Sequence, residues 1–541
     1  MKFFLSLLLL ISLQGFAQDI TVGTSLDYLL RLEPNKDSAT TGMIRPYSIR
    51  AIQANRSTGL VKEFLGLKQN KALDLVLLPI EVQTAFVQHH PDQWNDGNMI
   101  PARGWQSMIT GGLYIQKKAI SLQLSPEWVR AQNKSYAGFP EDHDQSQWRD
   151  YYRWYNNIEL PERISNGVYN KLLPGQSFLR ASLGKIDLSI STQHLWWGPG
   201  YRNALLMSNA AAGFPHVSVK TGTPINTSWG KIEFEVMGGI LTNANRTPPD
   251  TMHRAMGILL YTPKQRLIRV LSGSVLTYSP KWIKGLTLGV EQTMVQYQRD
   301  MKALHHYVPV QSPFNKIRTD NQQQQMLQTG LFIRYAIPNA DLEGYAELAT
   351  NRSDRTLREF MLEPQAGAGS IYGIRKIIPT PRHAYYELIA EFTTVQQQLK
   401  GDILSAKSWY VHPYIRQGYT NEGQLLGATV GPGGKSQLVE VNWRSQLNRI
   451  GLSMERIQHN NDYMLFTFKN TSDFRRFWTD FVFSVKSDWK FKGLLAGLNL
   501  NFIKTNNYQW WLFEPSPGGY FIQGRDVYQL TARASIRYMI Q

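Results

Sequence analysis

Aromatic, amide and guanidinium side chains gather at one glycine-rich turn of the sequence. Residues 196–203 read WWGPGYRN, and Asn209 follows shortly after. Indole rings stack on the C–H face of a sugar, while amides and guanidinium groups form hydrogen bonds with hydroxyl or carboxylate groups. Proline fixes its own φ and glycine opens conformations closed to other residues, so the turn holds a defined shape. The turn fits a platform for a sugar ring, and it fits an internal packing corner without ligand equally well.

Three other stretches carry the same chemistry. Residues 94–105 and 419–422 combine aromatic rings with amide, carboxylate or guanidinium groups, and residues 148–155 hold a dense aromatic cluster. Aromatic rings near strand ends also form the interfacial girdles of membrane barrels, which is the alternative for this cluster. The residues predicted to bind polysaccharide are Trp94, Asn95, Asp96, Arg103, Trp105, Trp148, Tyr152, Trp154, Trp196, Trp197, Arg202, Asn203, Asn209, Tyr419, Asn421 and Glu422.

Common catalytic motifs are missing from the sequence. It contains no His-Glu-x-x-His zinc motif and no Gly-x-Ser-x-Gly nucleophile elbow. Residues 433–436, GGKS, resemble part of a phosphate-binding loop, but Thr429 occupies the position of the required earlier glycine. The histidine pairs at 89–90 and 305–306 have no carboxylate at ligand spacing. We therefore predict no metal, no cofactor and no enzyme activity.

A glycoside hydrolase is the enzyme class that stays open. It needs two carboxyl groups about 5–9.5 Å apart. Glu343 and Glu347 share one face of a predicted strand but lie about 13 Å apart at ~3.3 Å per residue, which is too far. The cross-strand pair Glu347 and Glu387 remains an alternative. We favour pairing of these glutamates with inward arginines, because an unpaired buried charge is costly. The arginines expected there are Arg334, Arg533 and Arg537.

Residues 1–17 have the pattern of a secretory signal peptide. Lys2 precedes an apolar run over residues 3–13, and a small-residue cleavage site follows at residues 15–17. That run is shorter than the ~20 apolar residues of a transmembrane helix, and no later segment supplies one. Cysteine is absent, so we expect neither a disulfide nor a lipoprotein anchor. The pattern predicts an exported chain attached to the outer membrane through its fold.

The chain is strongly basic, with a formal net charge of +17. In an exported protein this charge disfavours nucleic acid as a partner. It favours anionic lipopolysaccharide or an acidic exopolysaccharide instead. A basic solvated surface without a specific partner is the alternative.

A two-residue alternation of apolar and polar side chains begins near residue 73. In residues 528–540, apolar and tyrosine side chains occupy one face, and glutamine, threonine, serine and arginine occupy the other. Segments of about ten residues with this alternation are typical of outer-membrane strands, and we predict about eighteen of them. The predicted strands begin at residues 73, 107, 118, 177, 185, 216, 229, 266, 284, 326, 341, 385, 404, 437, 448, 475, 492 and 526.

The lengths of the connections support an all-β, transmembrane antiparallel β-barrel. Short turns, such as 184–185 and 337–340, alternate with long segments, such as 195–215 and 351–384, as periplasmic turns and extracellular loops do. This parity places the turn at residues 196–203 at the outer mouth. The predicted organisation is a signal peptide over 1–17, a periplasmic helical segment over 18–72, and an outer-membrane barrel with long extracellular loops over 73–541.

Several motifs together resemble the capsule assembly Wzi family, in the version common in Bacteroidetes-type bacteria. They are the stretches at 95–104, 126–133, 196–209 and 418–431, of which WWGPG is the most specific. The resemblance covers nearly the whole mature chain in order. It implies an outer-membrane lectin with an eighteen-stranded barrel and a small periplasmic helical portion. Such a protein retains capsular polysaccharide at the cell surface and neither synthesises nor exports it.

We therefore predict a non-enzymatic outer-membrane protein that binds and retains capsular polysaccharide or exopolysaccharide. Its expected partners are that polymer and the lipid or lipopolysaccharide of the outer membrane, and we expect a monomer. An outer-membrane porin is the first alternative, and a glycoside hydrolase ranks last. If the turn at 196–203 binds glycan, alanine at Trp196, Trp197 and Arg202 weakens binding while the barrel stays folded.

Overall fold

The protein is an antiparallel β-barrel of 18 strands that closes on itself. The structure, a computed structural model, describes residues 19–32, 42–47, 73–92, 95–164, 167–248, 250–302, 324–352, 356–381, 384–397, 408–468, 474–511 and 525–539. The predicted signal peptide at 1–17 lies outside these residues. Among the described residues, no helix is both long enough and apolar enough to cross a bilayer.

Strands β1 to β18 follow one another around the barrel wall. In chain order they are Leu73–Val87, Gly104–Lys117, Ile120–Leu124 with Glu127–Ala131 (together β3), Tyr169–Leu173 with Phe178–Leu183 (together β4), Ile186–Ser191, His216–Thr221, Gly230–Leu241, Arg269–Pro280, Leu286–Tyr297, Gln325–Ile337, Leu342–Thr350, Ala368–Pro379, Ala384–Thr394, Lys435–Ser445, Asn448–Gln458, Thr479–Phe491, Leu494–Asn506 and Val527–Tyr538. The first and last strands pair from Ile80 opposite Tyr538 to Val87 opposite Thr531. That pairing closes the wall.

Four α-helices accompany the barrel within the described part of the chain. Helix α1 spans Ser25–Leu32, α2 spans Gln145–Tyr155, α3 spans Leu357–Leu362 and α4 spans Asn461–Thr467. Helix α1 lies before the barrel sequence, and the others lie in the long connections. Short two-residue ribbons also occur, and the one that matters below joins Ile44–Arg45 to Trp196–Trp197.

Side chains alternate between the outside of the wall and the lumen. In β18, Tyr528 and Ile536 are exposed, whereas Gln529 and Thr531 are buried. A strand with apolar residues outside and polar residues inside suits a wall that separates lipid from a polar interior. At its two ends the wall carries exposed tryptophans. Trp105 lies near the long loops, and Trp229 and Trp282 lie near the short turns.

Buried ion pairs fill the lumen near the short-turn end. Glu343 on β11 meets Arg334 at 2.8 Å, Arg375 at 2.8 Å and Arg31 at 3.6 Å. The predicted pairing of lumenal glutamates with inward arginines is confirmed here. Arg537 likewise pairs with Glu81. These contacts compensate charges that would be costly to bury alone.

Helix α1 packs inside this end of the barrel. Its apolar face, with Leu26, Leu29 and Leu30, belongs to a buried cluster that includes Leu495 and Met539 of the barrel. This burial, rather than the intrinsic stability of so short a helix, accounts for its formation. The predicted helix is therefore present, and its described part lies against the lumen. A separate periplasmic unit over 18–72 stays a prediction, because 33–41 and 48–72 lie outside the described residues.

The loop after β5 folds inward and meets the N-terminal segment. The Gly198 amide donates to the Met43 carbonyl at 3.0 Å, and an Arg31 guanidinium N–H donates to the Gly200 carbonyl at 3.0 Å. Gly198 has φ 87°, and a Cβ there would lie 2.8 Å from a Glu347 oxygen, so only glycine fits. Residues 19–32, 42–47 and 192–215 together form what we call the plug. The prediction that residues 196–203 sit at the outer mouth is wrong, because this loop descends into the lumen.

One strand differs from the sequence-based segmentation. Residues 368–379 form β12, although they were expected within the long loop 351–384. Glycine at 369 and 373 adds no side chain to either face, which blurs the alternation. The strand expected from residue 404 starts among residues outside the described part, and residues 408–434 contribute no strand to the barrel wall. The additional strand β12 and the missing strand after residue 404 cancel, so the number of barrel strands is still 18.

Candidate functional site

A pocket opens among the long loops, at the end of the barrel opposite the short turns. It has an empty volume of about 1230 Å³, including the part open to solvent. Loops from distant parts of the chain line it, so the barrel wall sets their relative positions. Aromatic rings dominate its lining: Tyr136, Tyr151, Trp154, Trp478, Tyr508 and Trp510. We call it the outer pocket.

Helix α2 places two of these rings. The carboxylate of its N-cap Asp144 accepts a hydrogen bond from the Gln147 backbone amide at 2.8 Å. The Gln147 side-chain oxygen in turn accepts one from the Asp144 backbone amide at 3.1 Å. This capping box fixes the start of the helix. One face of α2 packs into an aromatic cluster, where Phe139 stacks on Tyr151 with ring centroids 4.1 Å apart. Trp154, one turn further along, is half-buried and lines the pocket.

The opposite side of the pocket is built by the loops before β16 and after β17. The rings of Trp478 and Trp510 meet edge to face at 5.2 Å, and Trp478 also meets Tyr508 at 5.2 Å. Tyr463 of α4 packs on Trp510 at 4.6 Å. Such edge-to-face contacts hold aromatic rings in fixed orientations. The pocket therefore has rigid apolar walls.

Three indole N–H groups of the lining lack an acceptor within the described protein. They belong to Trp154, Trp478 and Trp510. A buried indole N–H normally finds a hydrogen-bond partner. The indole N–H groups of Trp148, Trp196 and Trp409 share this state away from the pocket, so it is the flat ring faces of the lining that match the C–H surfaces of a ligand.

Carboxylates add acceptors to the lining. Arg533 of β18 bridges Asp92 at 2.9 Å and Asp96 at 3.3 Å. On the other side, Glu162 accepts hydrogen bonds from the Phe139 amide at 3.2 Å and the Tyr151 hydroxyl at 3.0 Å. Burial raises the pKa of Glu162, and these two bonds oppose that shift.

Two histidines complete the polar part of the pocket. Burial lowers the pKa of His90 to about 4, so its imidazole is neutral near pH 7. The His459 Nε2 lies 2.7 Å from a carboxylate oxygen of Asp480. Within the described ranges, no group of three or more histidine, aspartate or glutamate side chains could hold a metal ion.

The structure distributes the predicted binding residues over three environments. Asp96 and Trp154 line the outer pocket. Trp105 is exposed on the outside of β2, against Phe86 at 5.0 Å, and Arg103 donates to the carbonyls of Gln88 and Ser135. Trp94 lies outside the described residues. The remaining predicted residues, most of them buried, hold the plug and loops together: Asn95, Trp148, Tyr152, Trp196, Trp197, Arg202, Asn203, Asn209, Tyr419, Asn421 and Glu422.

Contacts with the barrel wall and within the plug hold the two indoles of the turn. The Trp197 ring is fully buried, and its N–H donates to Glu235 at 3.0 Å. Arg45 lies over the Trp196 ring at 4.7 Å. Of the two interpretations of this turn, the internal packing corner matches what the structure shows.

The polar residues near the turn also bond to protein groups. Arg202 meets Glu455 at 3.2 Å, and Asn203 accepts from the Thr429 amide at 3.0 Å. The Tyr419 hydroxyl donates to the Leu206 carbonyl at 2.7 Å, and Asn421 donates to the Ala212 carbonyl at 2.9 Å. These contacts tie the loop after β13 to the loop after β5.

Bonds of other predicted residues lie within the outer loops. Asn95 donates to the Arg202 carbonyl at 2.8 Å, and Asn209 donates to the Val22 carbonyl at 3.3 Å. Tyr152 donates to the Asp250 carbonyl, and Trp148 stacks on His253 with centroids 4.3 Å apart. Glu422 pairs with Lys171 at 2.5 Å. A direct contact of these residues with glycan stays a prediction.

The pair considered for hydrolysis lies inside the lumen. Glu347 accepts from the Leu205 amide at 2.6 Å, and Glu387 pairs with Arg444 at 2.9 Å. Both glutamates are fully buried beneath the plug. Neither lines the outer pocket.

Sequence reasoning missed most of the outer pocket. Tyr136, Trp478, Tyr508, Trp510 and Glu162 line it but were not among the predicted residues. The pair Trp510-Trp511 lies in a segment, 505–525, that was expected to be an outer loop. Two adjacent indoles in an extracellular loop were the signal that could have identified this wall.

Comparison with known proteins places this fold in a family. The family model described as capsule assembly protein Wzi matches residues 169–507, which is more than half of the chain. No curated protein sequence matches it.

One of the solved structures that match gives the same result for the fold. The chain is similar to Wzi of Escherichia coli, described as an outer membrane protein involved in group 1 capsule assembly and as a carbohydrate-binding β-barrel, with a TM-score of 0.63, 13% identity, and coverage of 97% of this chain and 100% of that chain. OccAB2 of Acinetobacter baumannii has a TM-score of 0.40 and 10% identity, over 85% of this chain and 97% of that chain. OpdK of Pseudomonas aeruginosa has a TM-score of 0.40 and 7% identity, over 86% of this chain and 98% of that chain. The closed barrel and the match over residues 169–507 show that this outer-membrane protein belongs to the capsule assembly Wzi family.

Proposed function

We propose that this protein is an outer-membrane lectin that binds capsular polysaccharide or exopolysaccharide and retains it at the cell surface. The observation that carries the proposal is the outer pocket, where aromatic rings stand beside carboxylate acceptors. These are the groups that recognise a sugar ring. The carbohydrate binding described for the Escherichia coli Wzi barrel supports the same activity here.

The plug in the lumen agrees with retention of the polymer rather than with its export or synthesis. The plug crosses the interior and bonds to several strands, for example through Tyr201 to Glu440 at 2.8 Å and Leu205 to Glu347 at 2.6 Å. A polymer bound in the outer pocket stays on the outer side of this barrier. The absence of enzyme activity is part of the proposal, and the buried pairing of Glu387 supports it.

Loss of the protein is expected to release polysaccharide without reducing its production. In a strain that lacks the gene, total polymer stays near the wild-type level, while the cell-bound fraction falls and the fraction in the medium rises. The measurement is polysaccharide in washed cells and in supernatant, with the gene restored as control. A mutant whose polymer remains cell-bound contradicts retention.

Purified protein is expected to be silent in planar bilayers. An eighteen-stranded barrel is wide enough for a channel, but the described plug occupies much of the lumen, beside a polar cavity with an empty volume of about 850 Å³. Single-channel recording at neutral pH checks this, with an open porin inserted under the same conditions as control. Steady, large conductance from the wild-type protein would favour the porin alternative.

Contacts with lipid and the monomeric state complete the proposal. Exposed aromatic residues at the barrel ends, such as Trp105 and Trp229, match the interfacial girdle that contacts lipid or lipopolysaccharide. The pairing of β1 with β18 satisfies the wall without a second chain. Mass measurement of the protein in detergent is expected to give one chain per particle.

A further inference from the structure

We propose that the outer pocket takes uncharged sugar units and disfavours units that bear carboxylate, sulfate or phosphate groups. The inference deepens the proposed function and rests on it. It also departs from what the net charge of +17 suggests, since that charge alone favours an acidic polymer. The charges of the lining, one by one, carry the inference.

Among the residues that the structure describes, the lining contains carboxylates and neither lysine nor arginine. Asp92, Asp96 and Glu162 are its acidic members. The Arg533 guanidinium forms ion pairs with both Asp92, at 2.9 Å, and Asp96, at 3.3 Å. The Arg202 guanidinium also acts on Asp96 but pairs with Glu455 at 3.2 Å, so three carboxylates and two guanidinium groups leave a negative balance at this wall.

The opposite wall has the same sign. Glu162 is held by an amide and a hydroxyl, at 3.2 and 3.0 Å, and both are uncharged donors. An anionic sugar that enters between the walls therefore gives up its hydration without meeting a cation. Such uncompensated desolvation, together with like-charge repulsion, opposes binding.

The histidines do not supply the missing cation. His90 is neutral near pH 7, because burial lowers its pKa to about 4. His459 already faces Asp480 at 2.7 Å. The groups left for a ligand are the rings of Trp154, Trp478 and Trp510 and the carboxylate oxygens of the lining. C–H faces and hydroxyl groups of an uncharged sugar satisfy both.

Basic residues of neighbouring loops are engaged elsewhere. Lys171 pairs with Glu422 at 2.5 Å, and Arg416 donates to the carbonyls of Asn156, Pro263 and Thr262. Arg269 donates to the Thr420 carbonyl at 2.8 Å. These cations bind the loops to one another rather than line the outer pocket.

The test compares the native surface polysaccharide of the source strain with the same polymer after chemical reduction of its carboxyl groups. Binding to the full-length protein in detergent is measured by calorimetry at about 50 and about 500 mM NaCl. We expect affinity within about twofold for both polymers and both salt concentrations. A loss of about tenfold or more on carboxyl reduction, or on raising the salt, would overturn the inference. Absence of binding to the native polymer would instead sink the proposed function.

A gain-of-function variant provides a second arm. Gln509 lines the pocket, where its side chain hydrogen-bonds Tyr508 and its backbone carbonyl meets His143 at 3.2 Å. The variant Gln509→Lys adds a cation to the lining, and we expect it to raise affinity for polygalacturonate oligosaccharides at least about fivefold over wild type. Gln509→Glu is the matched control and gives no increase. Wild-type protein that binds polygalacturonate as tightly as neutral mannan oligosaccharides would contradict the inference.

Discussion

Replacing Trp197 by alanine is expected to destabilise the protein by about 3–5 kcal/mol, since this is the usual cost of emptying a buried tryptophan site. The ring is fully buried, and a Cβ added to Gly273 of β8 would lie 2.6 Å from it. The same change removes the indole donor that reaches Glu235 at 3.0 Å, which leaves a buried carboxylate short of a partner. We expect the compact, heat-modifiable form of the barrel to disappear at a lower temperature on gels.

A matched control distinguishes plug packing from the mere loss of an indole. Trp105 is 54% exposed on the outer wall, so Trp105→Ala removes a ring that packs on Phe86 rather than on the plug. This variant is expected to unfold close to the wild-type temperature. If Trp197→Ala unfolded at the wild-type temperature and bound glycan less tightly, the turn at 196–203 would be a binding platform after all.

Truncation of Trp154 is expected to weaken polysaccharide binding about tenfold or more, the effect of losing roughly 1.4 kcal/mol from one stacked ring. The ring is half-buried, lines the outer pocket and carries an indole N–H without a protein acceptor. The change to examine is Trp154→Ala, and the measurement is calorimetry with the native polymer. Because Trp154 is not fully buried, we expect the heat-modifiable band to persist.

The variant Trp154→Phe separates the two contributions of this side chain. Phenylalanine keeps a ring face and removes the donor, so we expect binding about two- to tenfold weaker than wild type. Trp105→Ala, on the outer wall, serves as the control with unchanged binding. Equal affinity of wild type and Trp154→Ala would remove this residue from the site.

The barrel was predictable from sequence because the alternation of side chains is local. β18 shows it over its whole length, with Tyr528 and Ile536 outside and Gln529 and Thr531 inside. The alternation failed at β12, where Gly373 contributes no side chain. A Cβ at that position would lie 2.0 Å from the Tyr345 ring of the neighbouring strand. Where the side chain of a neighbouring strand covers a glycine, the sequence of the strand itself does not show the alternation.

The site was predictable only in part, because the path of a loop depends on contacts far away in the sequence. Trp197 and Trp154 both belong to long outer connections, and their residue types suggest the same chemistry. Trp197 is drawn into the lumen by Glu235 and by the ribbon with Ile44–Arg45. Trp154 is held at the rim by the packing of α2. Local composition identified sugar-binding side chains but not which loops stay at the surface.

The seam between β1 and β18 links the two ends of the chain during assembly. Helix α1 precedes every strand of the wall in the sequence, and β18 follows all the other strands. A chain that stops before Val527 offers β1 no partner on that side, and the wall beside α1 stays open. Complete burial of α1 therefore requires β18, so a C-terminal truncation acts on the packing of the N-terminal helix.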